Sequence, residues 1–226
     1  MQIGALTEQE VGRWAGLLDA DETARAQRFV FPRHRIQYVA AHALTRKALG
    51  HAMGVDPAAW RWAVGEHGKP SAQLGGAPAA VSFNLSHAEG VVGVAVLAQA
   101  GADVGFDIEP LDRVVDLAVA DRYFRAEETA WLAGLPAGER RRGFMRLWTL
   151  KEAFIKATGE GLSRDLSSFW FEIEPVQLHL GDGSPESAWH FEQRVLAGGF
   201  VAAAGARTLS GGTVPQVWTE IDPAAL

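Results

Sequence analysis

The chain has no cysteine, only two tyrosines and three methionines among its 226 residues, and no excess of basic charge. Without cysteine there is no disulfide scaffold, no thiolate-bound zinc and no thiol nucleophile, and the composition fits a reducing compartment. The 21 lysines and arginines are outnumbered by 27 acidic residues, giving a formal charge of −6. That is the wrong sign for a dedicated nucleic-acid binder. No apolar run reaches membrane-spanning length, and the opening MQIGALTEQEVGRW lacks the basic-then-apolar profile of a secretory leader. The expectation is a cytoplasmic protein with neither nucleic acid nor membrane as partner. What the chain does have is 48% hydrophobic residues. At this length, folding buries roughly 70% of the unfolded surface, so no covalent or metal staple is needed. One large or two small domains fit.

Periodicity gives one order of elements twice. Gln2–Ala5 reads as a short strand, and Thr7 with Glu10 three residues on forms a capping-box signature. Helices follow through Leu18 and over Asp21–Phe29, then a longer one over Arg33–Leu49 that stops at Gly50. Strands are predicted at Trp60–Val64, Ala80–Leu85 and Val91–Leu97. The second pass has a strand at Val104–Glu109 and helices at Val115–Phe124, Ala126–Leu135 and Gly143–Thr158, the last closed by Gly159. Strands at Phe169–Ile173, Trp189–Leu196 and Phe200–Ala206 complete it. Residue identities barely repeat, so an ordinary α+β chain with chance likeness stands as the alternative. The preferred division is into halves 1–102 and 103–226, with a site in the cleft between them.

The chemistry-bearing residues lie mostly in the second half. In VGFDIEP, Asp107 and Glu109 are two apart, which on a strand puts both carboxylates on one face and Phe106 and Ile108 on the other, core-facing side. Paired carboxylates repel, and Mg2+ with substrate phosphate relieves that repulsion; solvated acids at a strand end are the plainer alternative. In LWTLKEAFIKATG, Glu152 and Lys156 share a helix face beside an apolar stripe of Leu147, Leu150, Phe154 and Ala157. They read either as a surface ion pair or as an acid and a cation one turn apart for phosphoryl transfer.

SFNLSHAEG places Ser86 and His87 after a strand, and GEHGKP places Gly68, Lys69 and Pro70 in a turn. Neither has the spacing of a nucleophile elbow or a P-loop, and each by itself says little.

Taken together these segments resemble the 4′-phosphopantetheinyl transferase superfamily, in its larger, pseudo-dimeric type similar to the surfactin-synthetase activator. The residues that carry the resemblance are Gly105-Phe106-Asp107-Ile108-Glu109, the helix Trp148 to Lys156 and the turn Gly159-Glu160-Gly161-Leu162. GKP and FNLSH precede them in the expected order, and Phe106 departs from the pattern, where a smaller apolar residue is usual. The resemblance implies an α+β fold of two similar halves, each with a small three-stranded antiparallel sheet and a packed long helix, related by a pseudo-two-fold axis. It implies coenzyme A as substrate, an acyl or peptidyl carrier-protein serine as acceptor, 3′,5′-ADP as product and a monomeric enzyme. Fatty-acid, polyketide and nonribosomal-peptide carriers all remain open. It assigns Mg2+, or Mn2+ in its place, to Asp107, Glu109 and Glu152, and charge stabilisation to Lys156. Glu152 or Glu128 accepts the serine proton. Lys69, Pro70, Ser86 and His87 hold the adenosine end, with Arg25, Arg46 and Lys151 as further phosphate contacts. An arginine cluster, Arg140, Arg141, Arg142 and Arg146, just before the catalytic helix is the expected carrier-docking patch. A Mg2+-dependent phosphohydrolase and a non-catalytic coenzyme A-binding relative are the competing readings.

Overall fold

The computed structural model describes residues 1–65, 68–181, 184–208, 214 and 217–226, so Glu66 and His67 of GEHGKP lie outside it. The chain forms two compact units, Met1–Ala102 with Val217–Leu226, and Asp103–Gln216. Among the described residues no helix is long and apolar enough to cross a membrane.

The first unit opens with two capped helices. In α1 (Glu8–Gly12) the Thr7 amide donates to the Glu10 carboxylate at 2.7 Å, while Thr7 Oγ1 accepts from the Glu10 amide at 3.3 Å. Asp19 and Glu22 repeat the device for α2 (Ala20–Gln27) at 2.9 Å each way. The long α3 (Pro32–Met53) starts on a proline whose missing N–H costs nothing at that position. It runs past the predicted stop at Gly50 and ends at the left-handed Gly54. Gly50 serves a different purpose: a Cβ there would lie 2.7 Å from the Val55 carbonyl, so glycine lets the chain fold back over the helix end.

Strands β1 (Arg61–Val64), β2 (Pro70–Leu74) and β3 (Ala77–Pro78) form one antiparallel sheet. The sequence reading missed β2 and β3, because PSAQL and AP lack apolar alternation. A second layer is the hairpin of β4 (Ser82–Ala88) and β5 (Val91–Leu97). On it lies α3, with Val92 buried among Val39, Ala40, Ala43 and Leu44. The predicted strand at Gln2 shrinks to one bridge to Val91 beside this hairpin.

The second unit follows the same succession: β6 (Asp103–Pro110), then α4 (Ala118–Tyr123), α5 (Ala126–Gly134) and the long α6 (Arg140–Thr158). A three-stranded sheet of β7 (Phe169–Ile173), β8 (Val176–Leu180) and β9 (Ser184–Pro185) comes next. The hairpin of β10 (Trp189–Leu196) and β11 (Phe200–Arg207) closes the unit, and β6 adds to its β11 edge. In each unit, therefore, the first segment joins the last hairpin and the long helix covers it.

The predicted apolar stripe of α6 is the core of this unit. Leu147, Leu150, Phe154 and Ala157 are buried, and Phe154 meets Phe169 and Trp189 at centroid distances of 4.7 and 5.1 Å. Burying one such aromatic contributes roughly 1.5–3 kcal/mol. The helix begins at Arg140, not Gly143, so the arginine cluster stands on its first two turns.

A helix and a strand meet backbone to backbone at Gly105 of β6. A Cβ there would lie 1.8 Å from the Ala153 carbonyl and 2.6 Å from the Ala157 amide of α6. No side chain fits between these two backbones. Gly105→Ala is accordingly expected to lower the urea midpoint by the equivalent of about 3 kcal/mol or to prevent folding. Gly134→Ala, where a Cβ meets nothing within 4 Å, is expected to be neutral or to stabilise by up to about 1 kcal/mol. Equal midpoints for the two variants would contradict the contact.

Candidate active site

Alternation along β6 puts Gly105, Asp107 and Glu109 on one face, with cross-strand partners Gly205, Ala203 and Val201. Val201 and Ala203 belong to the core beneath α6, so the acidic residues share the helix-covered face. The side of Phe106 and Ile108 is buried as expected, at 6% and 2% exposure, and the acidic side is covered as well.

Glu152 and Lys156 are the partly exposed positions of an otherwise buried stretch of α6. They flank Ala153 and Ala157, the residues that press on Gly105, so the tight contact brings them to β6. Lys156 Nζ donates to Asp107 Oδ1 at 2.6 Å. The lysine thus pairs across to the strand, and Asp107 is itself buried at 3% exposure. Glu109 is held by Arg113, whose guanidinium is 2.6 Å from Oε1. Sequence reading overlooked Arg113; its i+4 spacing beyond an acid is a common surface pattern and carries little signal.

The acids burden one another. Burial pushes the Glu152 carboxyl up, and the charges of Asp107 and Glu109 add to this against the opposing Lys156. Burial likewise raises Glu109, with Asp107 adding and Arg113 and Lys156 opposing. Among the described residues Glu152 Oε1 is buried with no hydrogen-bond partner. An unsatisfied buried carboxylate oxygen beside two more acids suits a hard cation. Among the described residues, however, no three His, Asp or Glu side chains stand in metal-holding geometry. Lys156 and Arg113 hold two of the three carboxylates instead.

Two other expected site residues form a separate structure. Lys151 and Glu128 are both fully buried and paired at 2.8 Å. Lys151 Nζ also donates to the carbonyls of Leu166 and Phe169 at 2.8 and 2.9 Å. Glu128 accepts from the amides of Arg125 and Phe171, each at 3.1 Å. Its carboxylate accepts from three donors and is sealed from solvent, in contrast to the partly exposed Glu152. The pair ties α5 and β7 to α6.

Arg46 likewise lies in a buried network of its own. It is 0% exposed, donates to Glu22 at 2.8 Å, Asp19 at 2.9 Å and the Trp60 carbonyl at 3.0 Å, and packs on the Trp62 ring. The other residues expected at the adenosine end lie in the first unit. Arg25 is exposed on α2 with its guanidinium over Tyr38, Lys69 precedes β2, and Pro70 begins it. Ser86 and His87 are neighbours on β4 and so face opposite sides. Ser86 is buried at 6% exposure, and His87 is exposed beside Gln37 of α3.

The arginine cluster is mostly engaged. Arg140 donates to the Leu135 and Ala133 carbonyls at the end of α5, Arg142 pairs with Asp112, and Arg146 pairs with Glu174. Among the described residues, Arg141 alone of the four has no ion pair or hydrogen bond of this kind.

Carboxylates and a lysine gathered where a long helix crosses a strand are the equipment of an enzyme that moves charged phosphoryl groups. Comparison with known proteins makes the class specific. Residues 103–204 match the family model of the 4′-phosphopantetheinyl transferase superfamily, and residues 6–99 match that of the 4′-phosphopantetheinyl transferase N-terminal region. The 4′-phosphopantetheinyl transferase HetI of Nostoc is 32% identical over 217 residues, 93% of this chain and 86% of that protein. A 4′-phosphopantetheinyl transferase of Bacillus subtilis is 30% identical, over 79% of this chain and 78% of its own length. A solved holo-(acyl-carrier-protein) synthase of Bacillus anthracis, in complex with coenzyme A (3′,5′-ADP), aligns at 18% identity with a TM-score of 0.34. That alignment covers 46% of this chain and 94% of the other. The chain belongs to the 4′-phosphopantetheinyl transferase superfamily, in its larger type, and is a transferase.

The buried Glu22–Arg46 assembly generates a pH prediction. Burial alone would raise the Glu22 carboxyl, but hydrogen bonds from His42, the Asp19 amide and Trp62 outweigh it and hold its pKa at about 2, against 4.5 ordinarily. A depressed carboxyl adds stability above its unfolded pKa and loses it as pH falls toward the folded value. Stability of the wild type is therefore expected to fall between pH 4.5 and 2. In Glu22→Gln the loss over that window should be smaller, as read from urea midpoints at each pH. Parallel pH profiles would contradict the assignment.

Proposed function

We propose that this transferase moves 4′-phosphopantetheine from coenzyme A to the serine hydroxyl of an apo acyl or peptidyl carrier protein and releases 3′,5′-ADP. The observation that carries this is the meeting of Asp107, Glu152 and Lys156 at the crossing of β6 and α6, in a chain of this family. Mg2+, with Mn2+ as substitute, is the cation the acidic residues suit. Asp107 and Glu152 would hold it, with Glu109 joining directly or through water once Arg113 yields. When bound, the metal neutralises the pyrophosphate and polarises its oxygens.

The remaining steps are assigned to the chain's own residues. Lys156, already among carboxylates, is the cation for the oxygens of the breaking anhydride. Glu152, partly exposed beside Lys156 on the same helix face, takes the serine proton directly or through water. The serine oxygen bonds to the β-phosphorus as the phosphoanhydride bond breaks, and 3′,5′-ADP carries away the electron pair. Lys69, Ser86, His87 and Arg25 remain the residues for the adenosine end. Arg141, exposed on the first turn of α6, is the docking contact for the acidic surface of a carrier. The working state is a cytoplasmic monomer.

The test is incubation with coenzyme A, Mg2+ and an apo-carrier, read by intact mass. The carrier is expected to gain one phosphopantetheine. Phosphate released from coenzyme A without any carrier would favour a phosphohydrolase, and neither product would favour a non-catalytic relative. Glu152→Gln is expected to lower transfer by about a thousandfold or more while thermal unfolding stays cooperative. Near-wild-type transfer would remove Glu152 from the mechanism. Arg141→Glu should raise KM for the carrier and leave KM for coenzyme A alone; unchanged carrier kinetics would discard the docking contact.

A further inference from the structure

His87 stands near the end of β4, opposite Val92, on the side of the hairpin covered by α3. Its Nδ1 lies 2.7 Å from Nε2 of Gln37 on that helix. The same Gln37 nitrogen donates to the Ala88 carbonyl at 3.1 Å. These two contacts fix the chemistry of the ring. A carbonyl oxygen can only accept, so the Gln37 atom facing Ala88 is the amide nitrogen; the amide oxygen there would be repelled. An amide nitrogen has two protons, one given to Ala88 and the other to His87 Nδ1. Nδ1 must then offer its lone pair, because a proton there would meet the amide N–H head-on.

We infer that Gln37 is a positioning residue that holds His87 as the Nε2–H tautomer, so that the ring presents a fixed donor to a phosphate at the adenosine end of coenzyme A. The inference rests on the reading of His87 as an adenosine-end contact. The clamp works because its parts cannot drift. Gln37 sits on the 22-residue α3, and Ala88 is the strand neighbour of the residue being oriented. A histidine whose proton is already on the donating nitrogen loses less on binding an anion than one that must first change tautomer. Gln37 touches no reacting atom and should leave the chemical step alone.

The test combines a spectroscopic and a kinetic readout on the full chain. Imidazole nitrogen NMR, with His87 assigned by difference from His87→Gln, reports which ring nitrogen carries the proton. Wild type is expected to show the proton on Nε2, and Gln37→Met to lose that preference. Gln37→Glu keeps size and replaces a donor with an acceptor, so it should move the proton to Nδ1. It also serves if the methionine variant folds poorly. Both variants should raise KM for coenzyme A about fivefold, the worth of one hydrogen bond, with kcat unchanged and KM for 3′-dephospho-coenzyme A unmoved. A wild-type proton on Nδ1, or identical ring spectra in all three proteins, would overturn the role of Gln37. A changed tautomer with unchanged KM for coenzyme A would instead overturn the adenosine-end reading of His87.

Discussion

The backbone of β6 at Gly105 touches the backbone of α6 at Ala153 and Ala157, and everything at the candidate site follows from that contact. Two residues along the strand, on the same face, is Asp107. One residue to the N-terminal side of each alanine are Glu152 and Lys156. Small residues at the crossing let the helix axis approach the strand closely, so side chains of ordinary length meet across it. The Lys156–Asp107 distance of 2.6 Å is the direct result. The glycine of the acidic motif is thus there for packing, and the packing makes the carboxylates neighbours.

A second device holds each long helix in place, and it occurs once in each unit. In the first unit Glu22, the third residue of a short capped helix, grips Arg46 of α3, which also reaches the loop carbonyls of Pro57 and Trp60. In the second unit Glu128, likewise three residues beyond its cap position, grips Lys151 of α6, which reaches the carbonyls of Leu166 and Phe169. In both cases a buried cation joins a preceding helix, the long helix and the following loop. A buried pair of this kind is weak evidence of net stabilisation, but removing one partner strands the other at a cost of about 3–5 kcal/mol. The same wiring occurs in both units although the residues that form it differ.

Much of this was legible in the sequence, for physical reasons. The element order, the α6 stripe and the pairing of Asp107 with Glu109 on one face follow from periodicity, which burial enforces. The buried pairings of Glu128 with Lys151 and of Arg46 with Glu22 were not legible, because charged side chains are seldom fully buried and only the fold shows that they satisfy one another. The end of α3 was misread because Gly50 resembles a terminator, whereas its need is for close approach. The strands β2, β3 and β9 escaped because proline and small polar residues carry no alternation, and β8, only five residues long, escaped as well. Gln37 gave no signal at all: a lone glutamine on a helix means nothing until Ala88 and His87 are beside it.

At the crossing of α6 and β6, acids from two different elements would together hold one cation. Calorimetric titration of Mg2+ into the protein with coenzyme A present tests it most directly. Wild type should bind one ion, and Asp107→Asn on the strand and Glu152→Gln on the helix should each weaken that binding about tenfold or more. Equal Mg2+ affinity in the wild type and either variant would contradict the account.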